Sequence, residues 1–272
     1  MTDWWQTLPF RISPYLFQVS GFGIRYYSLM YLAAFLSVYL LVRFRLKHEP
    51  HPYQSELIQD FLVWSMLGVI LGGRLGYVLF YNPSYYLSHP LEILLPFQFT
   101  GGFRFTGITG MSFHGGLLGV AVVFILFCRH KKIDLWQFAD LFVPAVPLGY
   151  FFGRLGNFIN GELYGTPTTL PWGMIFPLDP DGLLRHPSQL YEAFFEGLAL
   201  FILLWSLRKR TFLKHRMFAL FLMGYGIVRF FIEFVRQPDA HLGTVALGLT
   251  MGQMLCAAMF FSGVTLFYLK RR

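Results

Sequence analysis

Residues 57–80 read LIQDFLVWSMLGVILGGRLGYVLF, a run of 24 residues in which only Asp60 and Arg74 are charged. A helix needs about 20 consecutive apolar residues to cross the hydrocarbon core of a bilayer, which is about 30 Å thick. The composition of all 272 residues agrees with such a helix, because 55% are hydrophobic, 13% are charged and the mean hydropathy is +0.51. This composition indicates that lipid is the solvent of the chain. It excludes a disordered or nucleic-acid-binding tail.

The apolar pattern of residues 57–80 recurs along the chain. Seven stretches are predicted to span the membrane, near residues 22–42, 57–80, 111–128, 135–158, 188–207, 217–235 and 243–269. We therefore expect an all-α polytopic membrane protein with about seven transmembrane helices, forming one domain over residues 1–272. The longer connections 81–110 and 159–187 are rich in Gly, Pro and aromatic residues. They are predicted to form loops or half-helices on one side of the membrane, over a cavity.

The basic residues predict the orientation of the spans. Fourteen of the 22 lysines and arginines lie in four stretches that follow alternate spans: Arg43–His51, Arg129–Asp134, Arg208–Arg216 and Lys270–Arg272. The positive-inside rule places these stretches in the cytoplasm, with the N-terminus outside and the C-terminus cytoplasmic. The net charge of +8 therefore mainly reflects the orientation of the spans in the membrane.

The remaining basic residues are eight arginines and no lysine, all on the outer side. Arg74, Arg154 and Arg229 each lie in the outer half of a predicted span, where burying one arginine costs about 2.5–3.5 kcal/mol. Their planar guanidinium groups could bind a carboxylate or a phosphate through two hydrogen bonds. They could instead snorkel to the interface or form structural ion pairs. The acidic residues available for such pairs are Asp140, Glu192, Glu196 and Glu233.

The sequence lacks the motifs of several common classes of enzyme. There is no G-x-S-x-G, P-loop or HExxH motif, and Cys128 and Cys256 lie in no metal-binding or activated setting. We therefore predict neither a metal nor a cofactor, and we expect any nucleophile to come from the substrate. His114 opens an otherwise uncharged span. It could hydrogen-bond to a neighbouring helix, or act as a base, because the pKa of imidazole is near 6.5.

A dense stretch of glycine and polar residues, 153–165, GRLGNFINGELYG, lies at the exit of the predicted span 135–158. Its four glycines, two asparagines, one arginine and one glutamate favour a segment that lines a polar cavity rather than one that faces lipid. A capped helix end followed by a glycine turn is the structural alternative.

This stretch resembles the signature of bacterial prolipoprotein diacylglyceryl transferases, and the similarity extends over nearly the whole chain. Four further blocks match the family in the same order: Tyr26–Tyr31, Ser112–Gly116, His186–Glu192, and Tyr225–Phe230 continuing through Glu233 to Arg236–Asp239. Two positions depart from the pattern. Ser28 stands where many members have Gly, and Thr166 stands where Arg is common. The first departure could alter a close helix contact and the second could reduce headgroup contacts.

The resemblance implies an enzyme that transfers the diacylglyceryl group of phosphatidylglycerol to the lipobox cysteine thiol in a prolipoprotein signal peptide. The reaction forms a thioether and releases glycerol phosphate, which makes it an alkyl-type transfer to a thiol. Both substrates would enter from membrane lipid. The resemblance also implies a location in the bacterial cell (inner) membrane, with the active site towards the outer, periplasmic half.

The resemblance further assigns roles to residues of this chain. Arg154 and Arg229 would bind the headgroup and stabilise the leaving group, whose phosphate ester is anionic. His114 would act as the general base on the thiol, or would orient the lipid while the arginines lower the pKa of the thiol. The residues implied to bind substrate or to position the arginines are Tyr27, Asn157, Glu162, Gly165, Tyr225, Glu233 and Arg236.

A transporter or channel for an organic anion is the main alternative function. Outer-half arginines and broken helices would suit it, and the repeated Gly-Arg-Leu-Gly at residues 73–76 and 153–156 hints at duplicated halves. It leaves the His-Gly-Gly and His-Pro-Ser-Gln motifs unexplained. An intramembrane protease lacks a suitable Ser or paired-Asp nucleophile.

Overall fold

The architecture is largely helical. A computed structural model of the chain describes all residues except 1–3, 20–21, 94, 96, 99–103, 106–109, 238–243, 247 and 270–272. Helix accounts for 68% of the structure, which confirms the predicted all-α class. The chain divides into two compact units, the first made of residues 1–47 and 139–272 and the second of residues 48–138.

Helices follow one another along most of the chain, interrupted by short strand pairs. The helices are α1 (Leu8–Arg11), α2 (Tyr26–His48), α3 (Ser55–Phe80), α4 (Pro83–Ser88), α5 (Phe113–Lys131), α6 (Leu135–Phe142), α7 (Val146–Asn160), α8 (Ser188–Tyr191), α9 (Leu200–Leu207), α10 (Met217–Ile232) and α11 (Met251–Leu269). A π-helical segment, Glu192–Ala199, joins α8 to α9, and short 3-10 turns occupy Pro90–Ile93 and Thr211–Leu213. Three antiparallel strand pairs are β1 (Tyr15–Val19) with β2 (Phe22–Arg25), β3 (Phe97–Gln98) with β4 (Arg104–Phe105), and β5 (Thr244–Ala246) with β6 (Leu249–Thr250).

The described helices agree with a membrane protein. Five of them are long and apolar enough to cross a bilayer, namely α2, α3, residues 114–131 of α5, residues 188–207, and α11. The pair α6 and α7 forms a sixth candidate that is bent by 49°, and α10, with 16 residues, is a shorter apolar helix. The number of seven spans and the position of the N-terminus outside the cell stay predictions. The length and composition of the helices determine neither of them.

The helix boundaries correct the predicted spans at three places. Residues 22–25 form strand β2, so the first long helix begins at Tyr26. Residues 244–246 and 249–250 also pair as strands, so the last helix begins at Met251 rather than near residue 243. The β-branched residues Thr244, Val245 and Thr250 favour this extended pairing over a helix. The third correction is that α2 continues to His48, through residues predicted to be a solvated basic loop.

Arg45 shows why α2 continues. Its side chain is buried, and its guanidinium donates hydrogen bonds to the backbone oxygens of Asp140 at 2.6 Å and Leu141 at 2.7 Å. These carbonyl groups stand just before the break between α6 and α7, where intrahelical donors are missing. Arg45 therefore has a structural role in addition to its contribution to the positive charge.

The second unit is built on a close contact between α3 and α5. A Cβ atom added at Gly119 would lie 2.1 Å from the backbone oxygen of Gly68, and one added at Gly115 would lie 2.3 Å from that of Gly72. Small residues spaced four apart allow two helix backbones to approach in this way. At the other end of the same helices, the rings of Phe61 and Phe127 pack at a centroid distance of 5.3 Å.

We expect Gly119→Ala to destabilise the protein by about 1–3 kcal/mol, because the added methyl group overlaps the α3 backbone, which must move. The thermal unfolding midpoint in detergent measures the loss. Gly116→Ala is the matched control, since a Cβ atom there would lie 3.6 Å from the nearest atom, the backbone oxygen of Val69. Equal midpoints for the two variants would contradict the close contact.

Candidate active site

A cluster of charged side chains lies inside the first unit, between α7, α10 and the continuous helix from Ser188 to Leu207. Its centre is Glu192, whose side chain is 0% exposed. The Oε2 atom of Glu192 lies 2.8 Å from Nε of Arg154 and 2.8 Å from Nη1 of Arg229. One buried carboxylate therefore holds both predicted catalytic arginines. Arg154 and Arg229 thus form the structural ion pairs that the sequence left open as an alternative to anion binding.

Tyr150 and Glu196 complete the centre of the cluster. The Tyr150 hydroxyl accepts a hydrogen bond from Nε of Arg154 at 2.7 Å and donates one to Oε2 of Glu196 at 2.5 Å. The Oε1 atom of Glu196 lies 3.4 Å from Nη1 of Arg229. Glu192 and Glu196 both belong to the π-helical segment. Residues four apart lie on the same side of a helix, so both carboxylates point at the arginines.

The glycine-rich segment after Arg154 supplies the next layer. Nη1 of Arg154 donates to the Asn157 side-chain oxygen at 3.3 Å, and the Asn157 amide donates to Oε1 of Glu162 at 2.8 Å. The backbone oxygen of Glu162 accepts a bond of 2.7 Å from the Gln189 side chain, and Ser188 donates to the oxygen of Leu163 at 3.0 Å. The Ser-Gln pair of the His-Pro-Ser-Gln motif thus fixes the backbone that carries Glu162.

Arg236 and Glu233 lie at the edge of the cluster. Glu233 Oε2 is 3.3 Å from Nη2 of Arg229 and 4.0 Å from Nη1 of Arg236. Nε of Arg236 is 4.0 Å from Oε1 of Glu192, which is too long for a hydrogen bond. Both of these atoms are buried, and neither has a hydrogen-bond partner among the described residues. Of Arg154, Arg229 and Arg236, Arg236 is therefore the one whose guanidinium is least completely hydrogen-bonded.

Gly165 acts through the backbone. It pairs with Arg236 as an isolated antiparallel bridge, and its N–H donates to the backbone oxygen of His186 at 2.8 Å. A Cβ atom at this position would lie 2.2 Å from the oxygen of Val235. Only glycine fits here. Its role is to position the strand-like segment that carries Arg236.

The two predicted site tyrosines also belong to the first unit. Tyr225 packs edge-on against Tyr150 with ring centroids 5.8 Å apart. Tyr27 lies against Gly156, where an added Cβ atom would be 3.0 Å from Cδ2 of the tyrosine ring, and its hydroxyl is 3.2 Å from that of Tyr31. The structure therefore gathers nine of the ten predicted site residues in the first unit.

His114, the tenth predicted residue, belongs to the second unit. It lies in the first turn of α5, where its side chain is exposed, and Ser112 caps that turn by accepting the N–H of Gly115 at 3.2 Å. Arg74 is in the same unit, where it is buried and donates to the backbone oxygens of Ile93 and Glu92. A cavity of about 530 Å³ in this unit, near Tyr53, Asp60 and Lys131, contains none of the predicted site residues.

The loop between α7 and α8 is held by a buried ion pair. Arg185 donates to both carboxylate oxygens of Asp179 at 2.8 Å, and its Nη1 donates to the side chain of Gln237 at 3.2 Å. The hydrogen bonds from Arg185 hold the pKa of Asp179 below its usual value. Burial lowers the pKa of His186, so this imidazole is neutral at pH 7. These contacts fasten the loop to the residue that follows Arg236.

We expect Asp179→Asn to cost about 3–5 kcal/mol of stability at neutral pH, because it removes the buried counter-ion of Arg185 and leaves only the exposed Asp181. Since the pKa of the folded carboxylate is lowered, its stabilisation is complete above the unfolded value near 3.9 and disappears as the pH falls through the folded value. The difference in thermal midpoint between wild type and variant should shrink over that acidic range. Asp181→Asn is the control, because Asp181 also binds Arg185 but is 62% exposed. A difference that persists at low pH would contradict the assignment.

Tyr150, Glu192 and Glu196 were not predicted as site residues, although Glu192 and Glu196 were named as possible ion-pair partners of the arginines. Two signals in the sequence could have found them. Tyr150 lies four residues before Arg154, so the two share a helix face. Glu192 and Glu196 are two carboxylates four apart in an apolar helix, and intramembrane ionisable residues are functional candidates. Two other expected positions, Pro238 and Asp239 of the motif after Arg236, lie outside the described residues.

Comparison with known proteins supports the predicted family. The family described as prolipoprotein diacylglyceryl transferase matches residues 14–269. Proteins named phosphatidylglycerol–prolipoprotein diacylglyceryl transferase are similar over nearly their whole length. The Chlorobaculum tepidum protein is 53% identical over 97% of this chain and 91% of its own. The Bordetella avium protein is 49% identical over 96% of both, and the Rhodospirillum rubrum protein is 47% identical over 97% and 95%. None of these matches supports the transporter alternative, and the chain belongs to the prolipoprotein diacylglyceryl transferase family.

Proposed function

We propose that this protein is a phosphatidylglycerol–prolipoprotein diacylglyceryl transferase. The similarity of its relatives over nearly the full chain supports the activity and both substrate classes. We further propose that residues 1–272 act as one transferase domain. The acceptor would be the lipobox cysteine of a prolipoprotein signal peptide, and the protein would work in the inner membrane with its active site towards the periplasm.

The arginine pair around Glu192 is the observation that carries the chemical part of the proposal. Each guanidinium is fixed by buried hydrogen bonds, yet the side chains of Arg154 and Arg229 keep 14% and 12% exposure. Within the described part of the chain, Nη2 of Arg154 and Nε of Arg229 have no hydrogen-bond acceptor. These N–H groups are suited to an anionic phosphate oxygen. Arg236, the least satisfied arginine, is proposed to bind the same headgroup.

The bond changes define what the arginines do. The cysteine sulfur attacks the glycerol carbon of the diacylglyceryl group, and a C–S bond forms as the C–O bond to phosphate breaks. The electron pair of the broken bond leaves on the phosphate oxygen, which gives glycerol phosphate. Donors already aimed at the developing charge stabilise the transition state without reorganisation. We propose that Arg154 and Arg229 supply these donors, and that Tyr27, Tyr225, Asn157, Glu162, Gly165 and Glu233 bind the lipid or position the arginines.

The proton of the thiol has two proposed fates. A free thiol has a pKa near 8.5, so little thiolate exists at neutral pH. In one hypothesis, the imidazole of His114 accepts the proton. In the other, the positive field of the arginines lowers the pKa of the thiol, which then loses its proton to water, and His114 orients the lipid.

His114→Gln separates the two hypotheses when turnover is measured across pH. If His114 is the base, the variant should be slow at neutral pH and should recover as the pH rises through the range in which the thiol ionises by itself. His114→Asn serves as a second variant of similar polarity. Turnover near that of wild type at neutral pH would contradict the base hypothesis.

The test of the function is a mass measurement. Purified protein in vesicles that contain phosphatidylglycerol is incubated with a lipobox peptide, and with a matched peptide in which Ser replaces the Cys. We expect a diacylglyceryl mass increment on the Cys peptide alone. Mild alkali should then remove both acyl chains and leave the glyceryl group on sulfur, because a thioether resists hydrolysis. An increment equal to one acyl chain that alkali removes completely would indicate acyl transfer to sulfur instead, and no increment would contradict the transferase proposal.

A further inference from the structure

Arg74 is a buried arginine that the proposed reaction does not use. Its three guanidinium nitrogens all donate to backbone oxygens: Nε to Ile93 at 2.7 Å, Nη2 to Glu92 at 2.5 Å, and Nη1 to Gly110 at 3.4 Å. The side chain is 6% exposed, and its guanidinium lies 4.8 Å from the centroid of the Tyr86 ring. With every nitrogen engaged in this way, Arg74 is suited to holding backbone rather than a substrate phosphate.

One of these oxygens begins the segment that carries His114. Gly110 has φ +74°, and a Cβ atom there would lie 2.4 Å from the Tyr77 ring on α3. Two residues later, the N–H of Ser112 donates to the backbone oxygen of Gly73 at 2.8 Å. Residues 110–115 are thus fastened to α3 at both ends, by Gly110 and by the close contact of Gly115 with Gly72.

These contacts between residues 110–115 and α3 fix the position of His114 along α3. The residues of α3 that hold the segment are consecutive or one turn apart: Gly72, Gly73, Arg74 and Tyr77. The N–H of Ser112 and the backbone oxygen of Gly110 are bound by neighbouring residues, so a shift of the segment would break both bonds. A site that is loose by about 1 Å can lose about 10²-fold in rate, which gives such fastening a functional consequence.

We propose that Arg74 is a positioning residue for His114. It binds the backbone of residues 92–93 and 110, and so holds the first turn of α5 in the geometry that the reaction requires. The inference rests on the proposed function and deepens it. It also explains why an arginine, with donors on three separate nitrogens, occupies this position in place of a lysine.

The test combines Arg74→Met and Arg74→Lys with His114→Gln. We expect Arg74→Met to lower kcat about tenfold or more with little change in KM, since the turn is displaced while the headgroup contacts remain. Arg74→Lys should be intermediate, because the three N–H groups of an ammonium come from a single nitrogen, which cannot reach carbonyl oxygens arranged around a planar guanidinium. In the His114→Gln background, Arg74→Met should change kcat less than about twofold, because its effect passes through His114. Arg11→Met is the matched control, since Arg11 is an exposed outer-side arginine.

Amide hydrogen exchange tests the same inference without turnover. Residues 110–116 should exchange faster in Arg74→Met than in wild type, whereas the exchange of α11 should be unchanged. If Arg74→Met does not fold, Arg74→Lys takes its place in every arm. Additive effects with His114→Gln, a change in KM alone, wild-type kcat in Arg74→Lys, or unchanged exchange would each overturn the inference. A wild-type protein that makes no product would contradict the proposed function, while the exchange arm would still report on the fastening.

Discussion

Replacing Arg154 or Arg229 with lysine is expected to lower kcat by about 10²–10³-fold, the usual cost of losing a donor that faces developing negative charge. Each arginine uses part of its guanidinium to bind Glu192 and has one further nitrogen that faces no protein acceptor among the described residues. A lysine has a single nitrogen at the end of a flexible chain. It could approach Glu192 or the phosphate, but it could not bridge them with fixed geometry.

The mass assay with the lipobox peptide measures this loss, with kcat and KM obtained separately. Transition-state contacts predict that kcat and kcat/KM fall together, whereas loss of headgroup binding alone would raise KM. Arg11→Lys is the matched control, because it makes the same change at an exposed arginine. Wild-type turnover in both Arg154→Lys and Arg229→Lys would contradict the leaving-group role.

Arg74 and Arg154 show what could be predicted from the sequence. Both stand in the tetrapeptide Gly-Arg-Leu-Gly, in an apolar helix, and the sequence predicted for both a buried arginine that needs partners. The structure gives them different partners. Arg74 binds backbone oxygens of a loop about 20 to 36 residues away, whereas Arg154 binds a carboxylate on another helix. Local sequence sets the cost of burial, but the partner is set by tertiary packing.

The same distinction between local sequence and tertiary packing applies to the helices and strands. The apolar runs predicted the helices well, because hydrophobic length depends only on local composition. The strands at residues 22–25, 244–246 and 249–250 and the burial of Arg45 were missed, since they depend on pairing with other segments. At the site, the family motifs predicted Arg154, Arg229 and Glu162. Tyr150, Glu192 and Glu196 were not predicted as site residues, because a spacing of four residues signals a shared helix face but not the packing of α7 against the π-helical segment that brings them together.

Glu192→Gln is expected to lower kcat by more than about 10²-fold, although Glu192 is assigned no contact with substrate. Its Oε2 atom is the shared acceptor for Arg154 and Arg229, and the Tyr150 hydroxyl lies 3.3 Å from the same oxygen. Glutamine keeps the size of the side chain but removes the charge. It also directs an amide group with two N–H donors into a site that already contains three guanidinium groups. Two buried arginines would lose their common counter-ion, and both would leave the geometry that the leaving group requires.

The effect of Glu192→Gln should pass through the arginines, which a double-mutant cycle can measure. In the Arg154→Lys and Arg229→Lys backgrounds, Glu192→Gln should cost far less than in wild type, because the geometry it protects is already lost. Glu56→Gln is the matched control, since Glu56 is an exposed glutamate in the second unit. Thermal midpoints of all variants separate loss of fold from loss of geometry. Fully additive effects, or wild-type turnover in Glu192→Gln, would show that the arginines hold their positions without Glu192.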